Sequence, residues 1–356
     1  MENENKDQIL VVFTGGTICT TIKNGEMNTD SDAPMALLDF YKKSDSFCKD
    51  KVHLRKGDEF NILSENMTVN KWNMLIDYFQ RILKNDDNYI GIIVAHGTDT
   101  LAYSTAMFSL LLKGVKIPVV FVSSNYPIMT ENEEKNPLAN GVENFTSAVE
   151  CIYKGLPAGV YATYKNTEDN KMYLHKGENL IQCAIYDDNF YSKDAIDITE
   201  LEKVQFEAEK TINSNIPIIK IGEKRLTDCV LKVNPYVGLN YNMYNLERVK
   251  AVLHSTYHSG TSCVEKTEKQ NDYSGNSILY FIDKCAEKNI PFYYSPSKTG
   301  EESNVYASVP FIENHIVNGQ KPHFCYGDTE ELIYCKLLYA YSLGFSQEEI
   351  CQLLNN

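Results

Sequence analysis

Ile9-Leu10-Val11-Val12-Phe13, closed by Thr14-Gly15-Gly16-Thr17-Ile18, has a counterpart further on. This is Tyr89-Ile90-Gly91-Ile92-Ile93-Val94-Ala95, closed by His96-Gly97-Thr98-Asp99-Thr100. Each apolar run is short and lacks polar alternation, the mark of a strand buried on both faces. Residues 72–83 (WNMLIDYFQRIL) carry apolar side chains at helical spacing. Residues 101–112 read as a second helix and 117–122 (IPVVFV) as the next strand. Strands alternating with helices predict βαβ units and a mostly parallel sheet. In such sheets ligands gather beyond the carboxyl ends of the strands, near the point where strand order reverses. Both Gly/Thr clusters fall at that end.

Composition narrows the classes. The chain has 356 residues with 43% hydrophobic and 11% aromatic side chains, which excludes intrinsic disorder and suggests about two domains. Thirty-four basic against 48 acidic residues leave a net charge of −14, the wrong sign for a nucleic-acid or anionic-membrane surface. The most apolar stretch, 108–122, is interrupted by Lys113, Gly114, Lys116 and Pro118, short of a bilayer span. The polar, acidic start MENENKDQ lacks the basic region of a secretory signal, and the ten cysteines form no CxxC. These features predict a cytoplasmic protein with reduced thiols.

Beyond Ser192 the pattern loosens into a charged stretch, read as a linker over 201–215 between domains at 1–200 and 216–356. A second α/β series follows: strands at 216–221, 230–233, 249–254 and 291–294, a helix near 278–288, and closing helices at 330–343 and 347–354.

The two clusters share one chemistry. Paired glycines allow a sharp turn and close approach to a ligand. A threonine there can present its hydroxyl to a carbonyl carbon while neighbouring N–H groups hold the oxyanion. The plain alternative is a strand-to-loop turn, with Asp99 and Thr100 capping the next helix. Neither GxxxxGK[ST] nor GxGxxG occurs at these turns, which disfavours a phosphate loop. His254 and His258 stand four apart, as metal ligands on a helix would. A strand-to-loop passage fits them better, and no metal site is expected.

TGGTI followed by VAHGTDTLAYSTAMFSLLL resembles the L-asparaginase/glutaminase family of threonine-dependent amidohydrolases. The likeness continues through Leu63-Ser64-Glu65-Asn66-Met67-Thr68 with Trp72, through 119–127 with Asn140-Gly141, and at Val233-Asn234-Pro235-Tyr236-Val237-Gly238-Leu239. It implies an α/β fold with a larger N-terminal flavodoxin-like parallel-sheet domain bearing the site and a smaller C-terminal α/β domain. By the same resemblance Thr14 is the primary nucleophile, which forms an acyl-enzyme, and Thr98 is the second catalytic threonine. Asp99 holds the substrate α-amino group, Ser64 its α-carboxylate, and Gly97 and Ser124 lend backbone groups. Glu65 stands where secreted members have Gln, and SENM is closer to archaeal tRNA-dependent amidotransferase subunits. The implied activity is hydrolysis of L-asparagine to L-aspartate and ammonia in a homo-oligomer, dimer or tetramer, without cofactor, nucleic acid or membrane. In such assemblies a neighbour completes each site. Residues 257–261 would line that interface, and Glu301 or Glu302 are the candidates for the carboxylate a neighbour donates.

Three departures bear on chemistry. Gln182 in the segment GENLIQ stands where the family has its threonine-activating lysine, and Lys176 is out of register. The segment 19–39 holds no tyrosine, with Met27 near the expected place. Ser123-Ser124-Asn125-Tyr126-Pro127 replaces the family's GA[MQ]RP turn. Since nucleophile and base act as a unit, two alternatives stay open. One is an amidase for another carboxamide; the other is a catalytically impaired amino-acid-binding homologue.

Overall fold

A computed structural model describes residues 6–23, 26–29, 32–84, 88–203, 224–267, 272–297 and 306–355. The chain divides into two compact units, Met1–Glu223 and Lys224–Asn356. The expected strand at 216–221, nearly all of the expected linker, and Glu301 and Glu302 lie outside the described residues.

In the first unit the strands are β1 (Asp7–Phe13), β2 (Thr20–Lys23), β3 (Glu26–Thr29), β4 (Val52–Glu59), β5 (Tyr89–Ala95), β6 (Pro118–Val122), β7 (Gly159–Lys165), β8 (Met172–Lys176) and β9 (Ile196–Asp197). Its helices are α1 (Ala33–Lys42), α2 (Val69–Lys84), α3 (Leu101–Leu111) and α4 (Gly141–Tyr153). Seven strands form one sheet in the order β4-β1-β5-β6-β7-β8-β9, parallel from β4 through β7 and antiparallel at β8 and β9. The parallel part has the 2-1-3-4-5 order of flavodoxin-like sheets, with its reversal between β1 and β5. The short β2–β3 pair forms an antiparallel ribbon of its own.

Alternation along the strands fills two layers. Ile9, Val11, Phe13, Ile93, Ala95, Val120 and Val122 pack with Leu37 and Tyr41 of α1 and with Phe145, Val149 and Ile152 of α4. On the other face Phe121 meets Phe108 of α3, which meets Phe79 of α2 at a ring separation of 5.1 Å. In α2, Trp72, Leu75, Ile76 and Phe79 are buried, the i, i+3, i+4, i+7 stripe of a helix laid on a sheet. Trp72 Nε1 donates to Ser104 Oγ at 3.0 Å and ties α2 to α3.

The second unit holds a four-stranded parallel sheet, β10 (Val230–Val233), β11 (Ala251–His254), β12 (Phe292–Ser297) and β13 (His323–Tyr326), in sequential order. Its helices are α5 (Ile278–Glu287), α6 (Ser308–Glu313), α7 (Glu330–Leu343) and α8 (Gln347–Leu354). The ends of α7 and α8 follow from local chemistry. Thr329 accepts from the Leu332 N–H at the start of α7, and Gly344 ends it in the left-handed region. Ser346 and Glu349 form a capping box that opens α8.

His254 and His258 do not share a helix. His254 ends β11 with its Nε2 bonded to the Tyr241 hydroxyl at 2.7 Å, inside an aromatic core with Phe292 and Tyr294. His258 sits in the turn beyond. No helix among the described residues is long and apolar enough to cross a membrane.

Burial pushes His96, His175 and His254 each down from 6.5 to about 4. Each therefore stays neutral when folded, while its unfolded counterpart takes a proton below about pH 6.5. Their contribution to stability is complete above that pH and is lost as pH falls from about 6.5 toward 4. Denaturant titrations across this window should show proton uptake on unfolding, and His175→Gln should reduce that uptake by about one proton. An unchanged slope in the variant would refute the assignment.

Candidate active site

β1 and β5 are parallel neighbours with Phe13 opposite Ala95, so the residues after them leave the sheet side by side. Both the backbone N–H and the hydroxyl of Thr14 donate to the Ala95 carbonyl at 2.9 Å, and Thr14 is 1% exposed. The Thr14 carbonyl accepts from Ile62 N–H at 2.7 Å, which draws in the loop carrying Ser64. Gly16, at φ +77°, lies against Gly97 so closely that a Cβ on Gly16 would sit 2.2 Å from the Gly97 Cα. A Cβ on Gly97 would in turn meet Ser64 Cβ and Oγ at 2.4 Å. The two expected clusters and the Ser64 turn therefore form one constellation.

Ser64 is buried, and its Oγ donates to Asp99 Oδ2 at 2.8 Å while accepting from the Asp99 N–H at 3.3 Å. Thr100 donates its hydroxyl to the Ser64 carbonyl at 3.0 Å. Thr98 is half-buried, and Asp99 and Glu65 are exposed. A carboxylate with one oxygen already held by a hydroxyl, and open to solvent, suits an ammonium group.

Ser124 stands just beyond β6. Its hydroxyl is spent on the Tyr126 carbonyl (2.5 Å) and on the Gly141 N–H (3.1 Å), where it locks the turn after β6 to the start of α4. Gln182 joins the group from the segment after β8. Its Nε2 donates to the Thr98 carbonyl at 2.8 Å, and its Oε1 accepts from the Ala102 N–H at 3.2 Å. Lys176 is drawn away to Asp194 at 3.6 Å. Met27 falls on β3, and its side chain is not among those described.

The thiols and the imidazole of this region are neutral. Burial pushes Cys19 up to about 12, and burial, with Asp99 and Asp187 adding, raises Cys183. Burial lowers His96 to about 4, while its Nδ1 donates to the Gly97 carbonyl at 2.8 Å. The Ala95 carbonyl and Ile62 are structural members that motif reading passed over. Thr100, expected as a cap of the next helix, makes no side-chain cap bond and gives its hydroxyl to the Ser64 carbonyl instead. No group of His, Cys, Asp and Glu that would hold a metal occurs among the described residues. A cavity of about 260 Å³ in the second unit, lined by Tyr236, Tyr241, Tyr257 and Glu265 among others, includes Tyr257 of the expected interface segment but none of Thr14, Ser64, Thr98 or Asp99.

The parallel sheet with its reversal at β1/β5 and the Thr/Gly loops at that point define the asparaginase type of α/β protein. Residues 8–212 match the family described as Asparaginase, N-terminal, and the chain belongs to that family. A glutamyl-tRNA(Gln) amidotransferase component from Saccharolobus solfataricus is 26% identical over 255 residues, 70% of this chain and 53% of that protein. An L-asparaginase from Thermococcus kodakarensis is 27% identical over 191 residues, 52% of this chain and 54% of the relative. The chain thus spans about half the length of these curated relatives. Among solved structures, the thermostable L-asparaginase from Thermococcus kodakarensis superposes with a TM-score of 0.67 at 19% identity, covering 98% of this chain and 97% of that one. A probable cytoplasmic L-asparaginase from Campylobacter jejuni gives 0.66 at 18% identity, covering 99% and 100%. These likenesses establish the fold.

The glycine contact yields an ordered prediction. Gly97→Ala should destabilise the first unit by about 1–3 kcal/mol, because Ser64 can shift partway. Gly16→Ala should cost more, since its Cβ meets backbone and the left-handed φ adds about 1–2 kcal/mol. Denaturant unfolding of the two variants measures the order, and equal losses would contradict the contact.

Proposed function

We propose that this protein is an amidohydrolase that converts L-asparagine to L-aspartate and ammonia through an acyl-enzyme on Thr14, without a cofactor. The observation that carries this reading is the Gly16–Gly97 contact, which gathers Thr14, Ser64, Thr98 and Asp99 at the reversal of strand order. Membership in the asparaginase family supports it.

The bonds between Ser64 and Asp99 indicate how an amino acid enters. Ser64 and Asp99 satisfy each other. A substrate ammonium replaces the Ser64 hydroxyl as donor to Asp99, and that hydroxyl turns to the α-carboxylate. Gly97 and Ser124 offer backbone groups around the bound molecule, and Glu65 lies at its rim. Thr14 Oγ1 releases the Ala95 carbonyl and attacks the side-chain carbonyl carbon. The C–O ester bond forms, the C–N bond breaks, and the hydroxyl proton leaves with ammonia. Water held near Thr98 then splits the ester, giving aspartate and restoring the hydroxyl. The chain acts as a homodimer or homotetramer in this reading.

One observation favours a second reading, a protein that holds the amino acid without turning it over. The groups bonded to Thr98 and Thr14 include the Gln182 amide and, for Thr14, the Ala95 carbonyl, and neither is a base. A different carboxamide as substrate is the enzymatic variant of this reading, so glutamine and asparagine-containing peptides belong in the panel.

Ammonia release from asparagine should fall at least about a thousandfold in Thr14→Ala. Asp99→Asn should weaken amino-acid binding about 10- to 100-fold by calorimetry, the worth of a charge-assisted hydrogen bond. Equal rates in wild type and Thr14→Ala would remove the nucleophile assignment. Asp99-dependent binding with no ammonia from any amide would establish the binding protein instead.

A further inference from the structure

Helix α3 starts immediately after the Thr98-Asp99-Thr100 turn, yet its own cap residue does not cap it. Thr100 precedes the first helical residue but makes no side-chain bond to the helix N–H groups, because its hydroxyl is directed to the Ser64 carbonyl. An uncapped first turn leaves N–H donors without partners inside the helix. Gln182 supplies the missing acceptor from a different part of the chain, taking the Ala102 N–H on its Oε1 at 3.2 Å.

The other half of the same amide grips the loop. Gln182 Nε2 donates to the Thr98 carbonyl at 2.8 Å, alongside the Leu101 N–H at 3.3 Å. That carbonyl and the Asp99 N–H belong to one peptide unit, and the Asp99 N–H donates to Ser64 Oγ at 3.3 Å. The peptide joining Thr98 to Asp99 is therefore held at both ends, by Gln182 on its oxygen and by Ser64 on its nitrogen. The partners also fix which way the amide points, since a carbonyl accepts and an N–H donates.

We propose that Gln182 is a positioning residue that caps α3 and clamps the Thr98–Asp99 peptide, so that the Thr98 hydroxyl and the Asp99 carboxylate face the substrate in one fixed relation. This rests on the reading above, in which those two residues serve the substrate. A primary amide of this length does both tasks at once. A lysine ammonium has no acceptor for the Ala102 N–H, and a glutamate carboxylate has no donor for the Thr98 carbonyl.

That asymmetry gives the test. Purified full-length wild type, Gln182→Ala, Gln182→Glu and Gln182→Lys are compared by amide hydrogen exchange over residues 98–104, by the kinetics of ammonia release and by calorimetry with asparagine. Gln182→Ala should exchange faster over that segment and lose about a hundredfold in kcat/KM, the scale of a misplaced catalytic group. Gln182→Glu retains the cap, so its exchange should stay near wild type while kcat still falls. Gln182→Lys should retain the Thr98 contact and exchange faster at Ala102. Wild-type exchange and kinetics in Gln182→Ala would overturn the proposal, as would a Gln182→Lys protein more active than wild type. That gain would mark position 182 as the seat of a base. Should the wild type release no ammonia from any amide, the amidohydrolase reading fails by itself. The clamp is then decided by exchange and by asparagine affinity, expected at least about tenfold weaker in Gln182→Ala; unchanged exchange and affinity would end it.

Discussion

The site depends on two backbones touching where side chains would forbid it. β1 and β5 lie next to each other because the strand order reverses there, and parallel pairing in register brings Thr14 and His96 out of the sheet together. Two loops leaving adjacent strands ordinarily splay to make room for their Cβ atoms. Here the left-handed turn at Gly16 and the bare Cα of Gly97 let them stack, and Ser64 fills the remaining space. A glycine pair that reads in isolation as a simple turn thus becomes the condition for one constellation of hydroxyls and a carboxylate.

What gathers there is better built for holding than for moving protons. The Ser64–Asp99 pair, the Thr100 hydroxyl and the Gln182 amide form a network in which donors meet acceptors. The buried His96 and Cys19 nearby are kept uncharged: His96 has fallen to about 4 and Cys19 has risen to about 12. Fixed dipoles of this kind stabilise developing charge without reorganising, but they do not deprotonate a hydroxyl bonded to a backbone carbonyl. The tension between a well-ordered binding arrangement and a nucleophile still tied to Ala95 is what separates the two functional readings.

Much of this was legible in the residues. The uninterrupted apolar runs became β1, β5 and β6, and the two closing helices end where their caps dictate. Other elements were hidden for physical reasons. β4 (VHLRKGDE) is an edge strand with a single fully buried residue, so it lacks the apolar run that marked its neighbours. α4 opens at Asn140-Gly141 among turn residues and shows its buried face only when Phe145, Val149 and Ile152 are set against the sheet. At the site, the clusters offered Thr14, Thr98 and Asp99 and the resemblance offered Ser64, and the structure brings the loops that carry them together. The work of Gln182 could not be read, because its partners are 84 and 80 positions away and nothing local signals them. Ser124 was expected to lend backbone groups, and its hydroxyl serves the turn after β6.

The second unit makes a contrast with the first. Among the described residues its four strands run parallel in sequential order, β10 to β13, without the reversal seen at β1/β5. Its most suggestive residue, His254, is absorbed into a column of aromatic rings and bonded to Tyr241, where burial keeps it neutral. Two sheets of one class, built from similar apolar runs, therefore differ in what they can hold. In the first, the reversal of strand order brings two glycine-hinged loops into contact. In the second, each described strand follows the last, and His254 is drawn into the core.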